Sequence, residues 1–242
     1  MLLENIHNLT MLWKTASLPF STYVAGPHFD YCYIEDANWP NRVWLHQDID
    51  RTVLEAIKDI LPAVPVPLTL PYFDIYKSDK EALLERFGWT YKFEQTAMFL
   101  KPQAKFSQRD GFELKKVDTE VTAVLWAKLF KEAFGYGISV PTILQNWLIL
   151  DYYIAYDQGK AIGTGLLNQT YTTMGIHSIG VPPAHRRRGY ADEIMRHLIN
   201  YAVLNGVPSI TLQASSMGKS IYERLGFQEQ FLIRNYIAPP IS

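Results

Sequence analysis

The clearest chemical signal in the chain is a basic, glycine-containing segment at residues 181–191, which reads Val-Pro-Pro-Ala-His-Arg-Arg-Arg-Gly-Tyr-Ala. It lies between a predicted strand and a predicted helix, so the unpaired N–H groups and positive dipole end of that helix face any ligand bound there. Gly189 lets the backbone turn tightly and approach a ligand without a Cβ in the way. Arg186, Arg187 and Arg188 add positive charge. These features predict a cradle for a diphosphate, with a solvated basic turn or a nucleic-acid contact as the alternatives.

Three short apolar runs precede this segment and predict the strands that hold it. The runs at residues 152–156, 161–168 and 172–181 are separated first by Asp-Gln-Gly-Lys and then by Gln-Thr. The first break has the residue types of a tight hairpin turn. The pattern therefore predicts a three-stranded antiparallel meander whose last strand ends at the basic segment.

The elements around the meander follow from apolar periodicity and from helix stop signals. Residues 192–205 place apolar side chains on one stripe of a helix, which Gly206 and Pro208 are expected to end. From residue 112 onward the predicted elements are strand 112–117, helices 121–134 and 142–150, the meander, helix 192–205, strand 209–213, helix 217–225 and strand 230–237. This order predicts a mixed sheet with helices on its faces, an α/β (α+β) arrangement.

The first hundred residues carry a fainter copy of the same ending. They predict helix 51–61, strand 67–73, helix 80–87 and strand 91–100. Residues 84–89 (Leu-Glu-Arg-Phe-Gly-Trp) parallel 222–227 (Tyr-Glu-Arg-Leu-Gly-Phe) at an offset of 138 residues, and the same offset places Phe93 on Phe231. Upstream, residues 68–70 (Leu-Thr-Leu) resemble residues 210–212 (Ile-Thr-Leu). A repeat of this kind predicts two related domains, 1–104 and 105–242, joined near the polar stretch 101–111.

The composition narrows the classes of protein and partner. The 242 residues are 48% hydrophobic and 19% charged with a net charge of −1, so the chain as a whole does not attract nucleic acid or membranes. The single cysteine, Cys32, excludes an internal disulfide framework and a multi-cysteine zinc site, and fits a reducing compartment. No signal peptide and no membrane-spanning run is predicted. We therefore expect a cytoplasmic protein without a metal, with neither nucleic acid nor membrane as partner.

The basic segment and its neighbours resemble the GCN5-related N-acetyltransferase (GNAT) family. The pyrophosphate loop of that family has the pattern Gln/Arg-x-x-Gly-x-Gly/Ala, which Arg186, Gly189 and Ala191 match. The strand end at 179–181 precedes the loop, and Ile-Tyr-Glu-Arg-Leu-Gly-Phe at 221–227 follows it in the expected order. The resemblance implies that each domain is GNAT-like, with a mixed, mostly antiparallel central sheet flanked by helices.

The resemblance also assigns roles to individual residues. It implies that Tyr222 protonates the departing CoA sulfur; a phenol titrates near ~10 and a thiol near ~8.5, so this transfer is chemically reasonable. The alternative for Tyr222 is a packed helix tyrosine. His177, which strand alternation places on the face of Ile179 and Val181, is either the base that deprotonates the amine or a structural histidine. The implied acetyl-CoA contacts are Ile179, Gly180, Val181, Arg186, Arg187, Arg188, Gly189, Tyr190, Ala191 and Ser215.

The activity implied is direct transfer of an acetyl group from acetyl-CoA to a primary amine of a small molecule or peptide. Ser215 stands where many relatives carry an asparagine that reaches CoA, and helix capping is its alternative role. The amine is expected near residues 134–150, a mostly aromatic and apolar region. The N-terminal copy has Leu84 in place of the tyrosine and lacks the arginines, so it is expected to be degenerate. A non-catalytic acyl-CoA sensor is the second hypothesis, and a homodimer stays open.

Overall fold

The computed structural model describes residues 2–239. The strands are β1 (Tyr23–Ala25), β2 (Phe29–Cys32), β3 (Arg42–Leu45), β4 (Thr69–Phe73), β5 (Thr90–Leu100), β6 (Phe112–Lys116), β7 (Asp151–Asp157), β8 (Lys160–Thr170), β9 (Thr173–Gly180), β10 (Ser209–Ala214) and β11 (Gln228–Ile237). The α-helices are α1 (Leu2–Ser17), α2 (Arg51–Ile60), α3 (Ala82–Arg86), α4 (Glu120–Phe134), α5 (Val140–Asn146), α6 (Tyr190–Leu204) and α7 (Lys219–Arg224).

The predicted elements are present, and nearly all of their ends lie within two residues of the predicted ones. The meander β7–β8–β9 is antiparallel throughout, as its turn residues indicated. Helix α5 is the exception, because it ends at Asn146 rather than at residue 150. The backbone N–H groups of Ile149 and Leu150 both donate to the carbonyl of Asn146, which closes a turn in place of further helix.

Within residues 2–239 all the strands belong to one sheet, in the order β1-β2-β3-β4-β11-β5-β10-β9-β8-β7-β6. The two halves exchange their last strands. Strand β5 from the N-terminal half pairs with β10, and strand β11 from the C-terminal half pairs with β4. The exchanged strands pair antiparallel with each other at the centre of the sheet. The hydrogen-bonded ladder is therefore continuous across the predicted domain boundary.

The internal repeat appears in the structure as a repeated order of elements and as a repeated turn. The series α2–β4–α3–β5 matches α6–β10–α7–β11. After α3, the N–H of Trp89 donates to the carbonyl of Leu84 around Gly88, which has φ +82°. After α7, the N–H of Phe227 donates to the carbonyl of Tyr222 around Gly226, which has φ +91°. Glycine is needed at both turns because other residues rarely adopt these angles.

Helices cover both faces of the C-terminal half of the sheet. On one face α4 and the N-terminal α1 pack together, with Trp126, Phe130 and Trp13 among the buried side chains of their shared core. On the other face α6 packs against β8 and β9, burying Ile194 and Leu198. Helix α1 contacts β8, β9 and β10, so the first helix of the chain lies over the C-terminal strands. In the part of the chain that the structure describes, no helix is both long and apolar enough to cross a membrane.

Candidate active site

The centre of the candidate site is a gap between two strands that begin side by side. Strands β9 and β10 run parallel and pair over Thr173–Gly175 and Ser209–Thr211, after which they have no further paired positions. Adjacent parallel strands that stop pairing leave backbone and side chains free to contact a ligand between them. The unpaired parts of the two strands extend to their C-terminal ends at Gly180 and Ala214. This end is where the basic loop and α7 meet the sheet.

A β-bulge shapes the β9 side of this gap. Gly180 pairs with Thr164 and His177 with Leu166, so β9 has one more residue than β8 between these pairs. Ser178 occupies the bulge with φ +55°. A bulge changes which face the following side chains take. The predicted shared face of His177 with Ile179 and Val181 is therefore wrong: His177 contacts α1, whereas Ile179 and Val181 pack with the core beneath α6.

The loop after β9 leads directly into the first turn of α6. Gly189 is the N-cap with φ +78°, and no side chain caps the helix there. An added Cβ at Gly189 would meet nothing within 4 Å, so the space in front of the helix is open. Ala191 lies in the first turn. The first N–H groups of α6 are thus left for an anion, and the helix dipole favours one.

The three arginines have different environments. The Arg186 side chain is committed to the fold, because Nε donates to the carbonyl of Val181 (3.1 Å) and Nη2 donates to the carbonyl of Ala133 (2.9 Å). It ties the loop to β9 and to the last turn of α4. Arg187 and Arg188 are exposed, and Arg187 has φ +63°. The free charge of the loop therefore comes from residues 187 and 188.

Tyr190 anchors the loop from below. It is buried, and its hydroxyl donates to Oδ2 of Asp157 at 2.7 Å. The guanidinium of Arg109 lies over its ring at 5.5 Å and also pairs with Asp157. This contact with the β7–β8 hairpin makes Tyr190 a support for the loop rather than a group facing the open space.

Tyr222 lies on α7 and packs against the same core cluster as Ile179 and Val181. Its ring makes an edge contact with Phe227, with ring centroids 6.1 Å apart. Burial raises the pKa of Tyr222 to about 12. No group among residues 2–239 forms a hydrogen bond with its hydroxyl, so this donor is not used by the described fold.

The turn before α7 positions Tyr222. The hydroxyl of Ser215 accepts a hydrogen bond from the N–H of Gly218 at 3.3 Å, and its carbonyl accepts from the same N–H and from that of Lys219. The geometry places Ser215 in the capping role. A Cβ added to Gly218 would lie 3.1 Å from Cε2 of Tyr222 and 3.4 Å from its hydroxyl. The glycine at 218 therefore leaves room for the phenol.

His177 is buried beneath α1 and contacts Asn8. The Asn8 amide nitrogen donates to the carbonyls of Asn168 (2.9 Å) and Thr173 (3.4 Å) and to the hydroxyl of Thr170 (2.8 Å), so its oxygen must accept. His177 Nε2, 3.0 Å away, is accordingly the donor. Burial lowers the pKa of His177 to about 4, although a hydrogen bond with the Gln213 side chain opposes the shift. The contacts favour the structural alternative for this histidine.

Asn5 and Asn8 were not anticipated from the sequence, whereas Phe134 is the first residue of the region in which the amine is expected. Asn5 and Asn8 are buried on α1, where Asn5 accepts from Gln213 on β10 at 2.8 Å. Their spacing on an otherwise apolar helix stripe was the available signal. Phe134, at the end of α4, covers Gly180 so closely that an added Cβ there would lie 2.6 Å from its ring. Gly180 is thus required by a close approach.

Comparison with known proteins finds a family match in the C-terminal half of the chain. Residues 121–227 match the model of the Acetyltransferase (GNAT) family. A curated relative, the uncharacterized N-acetyltransferase YsnE of Bacillus subtilis, is 28% identical over 85 residues, which are 33% of this chain. The match spans 56% of the length of that relative.

Solved structures of similar fold cover most of the chain. A GCN5-related N-acetyltransferase from Kribbella flavida aligns with a TM-score of 0.71 and 14% identity over 97% of this chain and 96% of that one. Another GCN5-related N-acetyltransferase, from Sphaerobacter thermophilus, aligns with a TM-score of 0.63 and 16% identity over 89% of this chain and 78% of that one. A tandem GNAT protein from the clavulanic acid biosynthesis pathway aligns with a TM-score of 0.61 and 12% identity over 88% of this chain and 79% of that one. These likenesses are of fold, and the match to the Acetyltransferase (GNAT) family model covers residues 121–227, fewer than half of the 242 residues of the chain.

Proposed function

We propose that the protein is an N-acetyltransferase that moves an acetyl group from acetyl-CoA to a primary amine of a small molecule or peptide. The observation that carries the proposal is the convergence of three features at one end of the β9–β10 gap. These are the uncapped N-terminus of α6 with its exposed arginines, the bulged end of β9, and the unpartnered phenol of Tyr222. Residues 105–242 would carry the activity, and residues 1–104 a degenerate copy.

The residues in front of α6 fit the diphosphate of acetyl-CoA. A compact dianion would be complemented by three features of this region. These are the open space at Gly189, the free N–H groups, and the charges of Arg187 and Arg188. The corresponding helix of the N-terminal half, α2, has the opposite character. The carboxylate of Asp50 already accepts from the N–H of Val53 at its N-terminus, with Asp48 close by in sequence. A diphosphate would be repelled there, which supports a single acetyl-CoA site in the C-terminal half.

The reaction would use direct attack of the amine on the thioester. In our proposal the thioester lies in the gap, where N–H groups of the bulged segment Ile179–Val181 stabilise the negative charge that develops on its carbonyl oxygen. Tyr222 then gives its proton to the sulfur as the bond to carbon breaks. Because its pKa is about 12, the phenol stays protonated throughout the neutral range and is ready to donate. Holding both reactants in one gap supplies a further part of the acceleration.

His177 enters the proposal as a positioning residue rather than as the base. Its Nε2 proton is bound to Asn8, and its ring lies on the α1 face of the sheet, away from Ile179 and Val181. It would hold α1 against the strand next to the bulge. The amine could lose its proton to water instead. We place the activity in the cytoplasm, and the single cysteine supports a reducing compartment.

The proposal is tested by binding and turnover measured on the same protein. Calorimetry should detect binding of acetyl-CoA, and a panel of amines should release free CoA thiol. Tyr222→Phe should keep the binding and lower kcat about 100-fold, the low end of general acid catalysis. Tyr201→Phe, which changes a tyrosine on the exposed side of α6, serves as the matched control and should behave as wild type.

The possible outcomes separate the enzyme from the alternative. Binding of acetyl-CoA without turnover of any amine would favour the non-catalytic sensor. Absence of binding, with Arg187→Glu and Arg188→Glu indistinguishable from wild type, would remove the proposal altogether.

A further inference from the structure

Arg42 carries a buried positive charge for which the described fold provides no carboxylate. It lies on β3, and its guanidinium lies over the ring of Trp13 at 5.6 Å. Within residues 2–239 it forms no ion pair. Burial lowers the pKa of Arg42, and Tyr136 and Cys32 oppose the shift. A buried guanidinium without a counterion is unfavourable, so an anionic partner would be strongly preferred there.

One edge of this guanidinium is free. Nη1 donates to the backbone carbonyls of Pro40 (2.7 Å) and Asn41 (3.1 Å), which fixes the orientation of the plane. Nε is fully buried and has no hydrogen-bond partner. Nη2 likewise has no partner among the described residues, but it is not fully buried. Nη2 is therefore the part of this edge that a ligand can reach, and a charge-assisted hydrogen bond from it would suit a carboxylate.

The free edge is connected to the candidate active site by an aromatic wall. Phe134 covers Gly180 at the end of β9, and its ring centroid is 6.0 Å from that of Tyr136. Burial raises the pKa of Tyr136, and the positive charge of Arg42 opposes this rise. The N–H of Gly137 donates to Asn38 Oδ1 at 3.2 Å, which joins this wall to the segment that precedes Arg42.

We propose that Nη2 of Arg42 and the hydroxyl of Tyr136 bind a carboxylate on the amine acceptor, so that the substrate is an amino acid or a related amino carboxylate. This inference rests on the proposed acetyl transfer and names the substrate class of the same site. The N-terminal half then supplies a substrate-binding residue to the C-terminal site. Simple amines and polyamines would lack the group that neutralises Arg42.

The sheet order indicates that the two ends of such a substrate lie apart. Arg42 is on β3, and four strands lie between β3 and β9, which carries the bulge. Helix α1 contacts both places, through Asn8 at His177 and through Trp13 at Arg42. The amine and the carboxylate should therefore be separated by several bonds. An α-amino group next to its own carboxylate would not reach both places, whereas an amine at the far end of a flexible chain would.

The test uses the full-length protein, acetyl-CoA, and matched acceptors that differ only in charge. Straight-chain ω-amino carboxylates with two to six methylenes are compared with their primary carboxamides, which keep the shape and lose the charge. We expect wild type to prefer the carboxylates in kcat/KM by about tenfold to a hundredfold, the value of a charge-assisted hydrogen-bond pair. The preference should be greatest for the longer chains.

Three variants assign the preference to this site. Arg42→Met should raise KM for the carboxylates until the ratio is close to one, while acetyl-CoA binding by calorimetry is unchanged. Tyr136→Phe keeps an exposed ring and should lower the ratio several-fold without affecting folding, which provides a reading if Arg42→Met does not fold. Arg51→Met, at an exposed arginine of α2, is the matched control and should keep the wild-type ratio.

The results distinguish failure of this inference from failure of the proposed function. Two results would overturn the inference and leave acetyl transfer intact. In the first, wild type acetylates amines and carboxamides as efficiently as carboxylates. In the second, the preference for carboxylates is unchanged in Arg42→Met and Tyr136→Phe. Absence of both acetyl-CoA binding and acetylated product would overturn both.

Discussion

The burial of His177 predicts a specific loss of stability in mild acid. In the folded protein the pKa of this histidine is about 4, because burial under α1 disfavours the charged ring, whereas in the unfolded chain it is near its usual 6.5. Between these values the unfolded chain binds a proton that the folded protein does not. The free energy of unfolding should therefore fall as pH falls through this window, by about 1.4 kcal/mol per unit and about 3 kcal/mol in total.

The measurement is urea unfolding of wild type and His177→Gln between pH 7.5 and pH 4.5. Glutamine can still donate to Asn8 but does not titrate, so the difference between the two proteins isolates the histidine from the carboxylates that titrate in the same range. Wild type should lose about 2 to 3 kcal/mol more than the variant over this interval. His28→Gln changes an exposed histidine and should keep the wild-type slope. Parallel curves for wild type and His177→Gln would show that the ring is not held neutral, and would reopen its assignment as the base.

Three further substitutions test the contacts around the gap. Asn8→Ala removes the acceptor for His177 and the donor for two buried carbonyls, and should cost about 2 to 4 kcal/mol in urea unfolding, whereas His7→Ala on the exposed side of α1 should cost little. A small effect of Asn8→Ala would mean that α1 is not fixed by these hydrogen bonds. Gly218→Ala places a methyl group 3.1 Å from the Tyr222 ring, at a φ that alanine accepts. We expect kcat to fall about tenfold while acetyl-CoA binding is unchanged. Ser220→Ala is the control. Unchanged kcat in Gly218→Ala would argue against Tyr222 as the acid. Arg186→Gln should weaken acetyl-CoA binding about tenfold through loss of the two carbonyl contacts that shape the loop, and should also lower stability by about 1 to 3 kcal/mol. Weaker binding with no loss of stability would instead indicate that Arg186 contacts the ligand directly.

The C-terminal half was predictable because its signals are local. The runs that form β7, β8 and β9 have turn residues between them, and α6 shows a continuous apolar stripe. The role of the loop at residues 186–191 stays a prediction, and it could be made because the residues on which it depends are neighbours in the chain. Tyr222 was identified through the motif around it, and the structure adds the room that Gly218 leaves for its ring.

The position of α1 could not be inferred in the same way. Asn8 is fixed by Asn168 and Thr173, which lie more than 150 residues away in sequence, and no local pattern specifies such partners. The face of His177 was misassigned for a different reason. Strict alternation assumes one residue on each strand per step, and the extra residue at Ser178 breaks that assumption.

The exchange of β5 and β11 shows a limit of repeat detection. A repeat at an offset of 138 residues specifies the order of elements in each half, but two similar strands can each complete either half, and the sequence does not distinguish these pairings. In the structure each half is completed by the strand of the other. The repeat was therefore sufficient to predict the elements and insufficient to predict their partners.

This exchange gives the N-terminal half a role in the site without a functional loop of its own. Its strand β5 supplies the neighbour that β10 has on the side away from β9, so the two strands that border the gap are both held from outside. Its helix α1 closes the face of the gap opposite α6 through Asn5 and Asn8. Its strand β3 carries Arg42, the proposed contact for the carboxylate of the substrate. The N-terminal half would thus support β10, close one face of the gap and provide a charged contact for the substrate. None of these contributions needs the arginines or the tyrosine of the C-terminal half, and the acidic N-terminus of α2 is compatible with all of them.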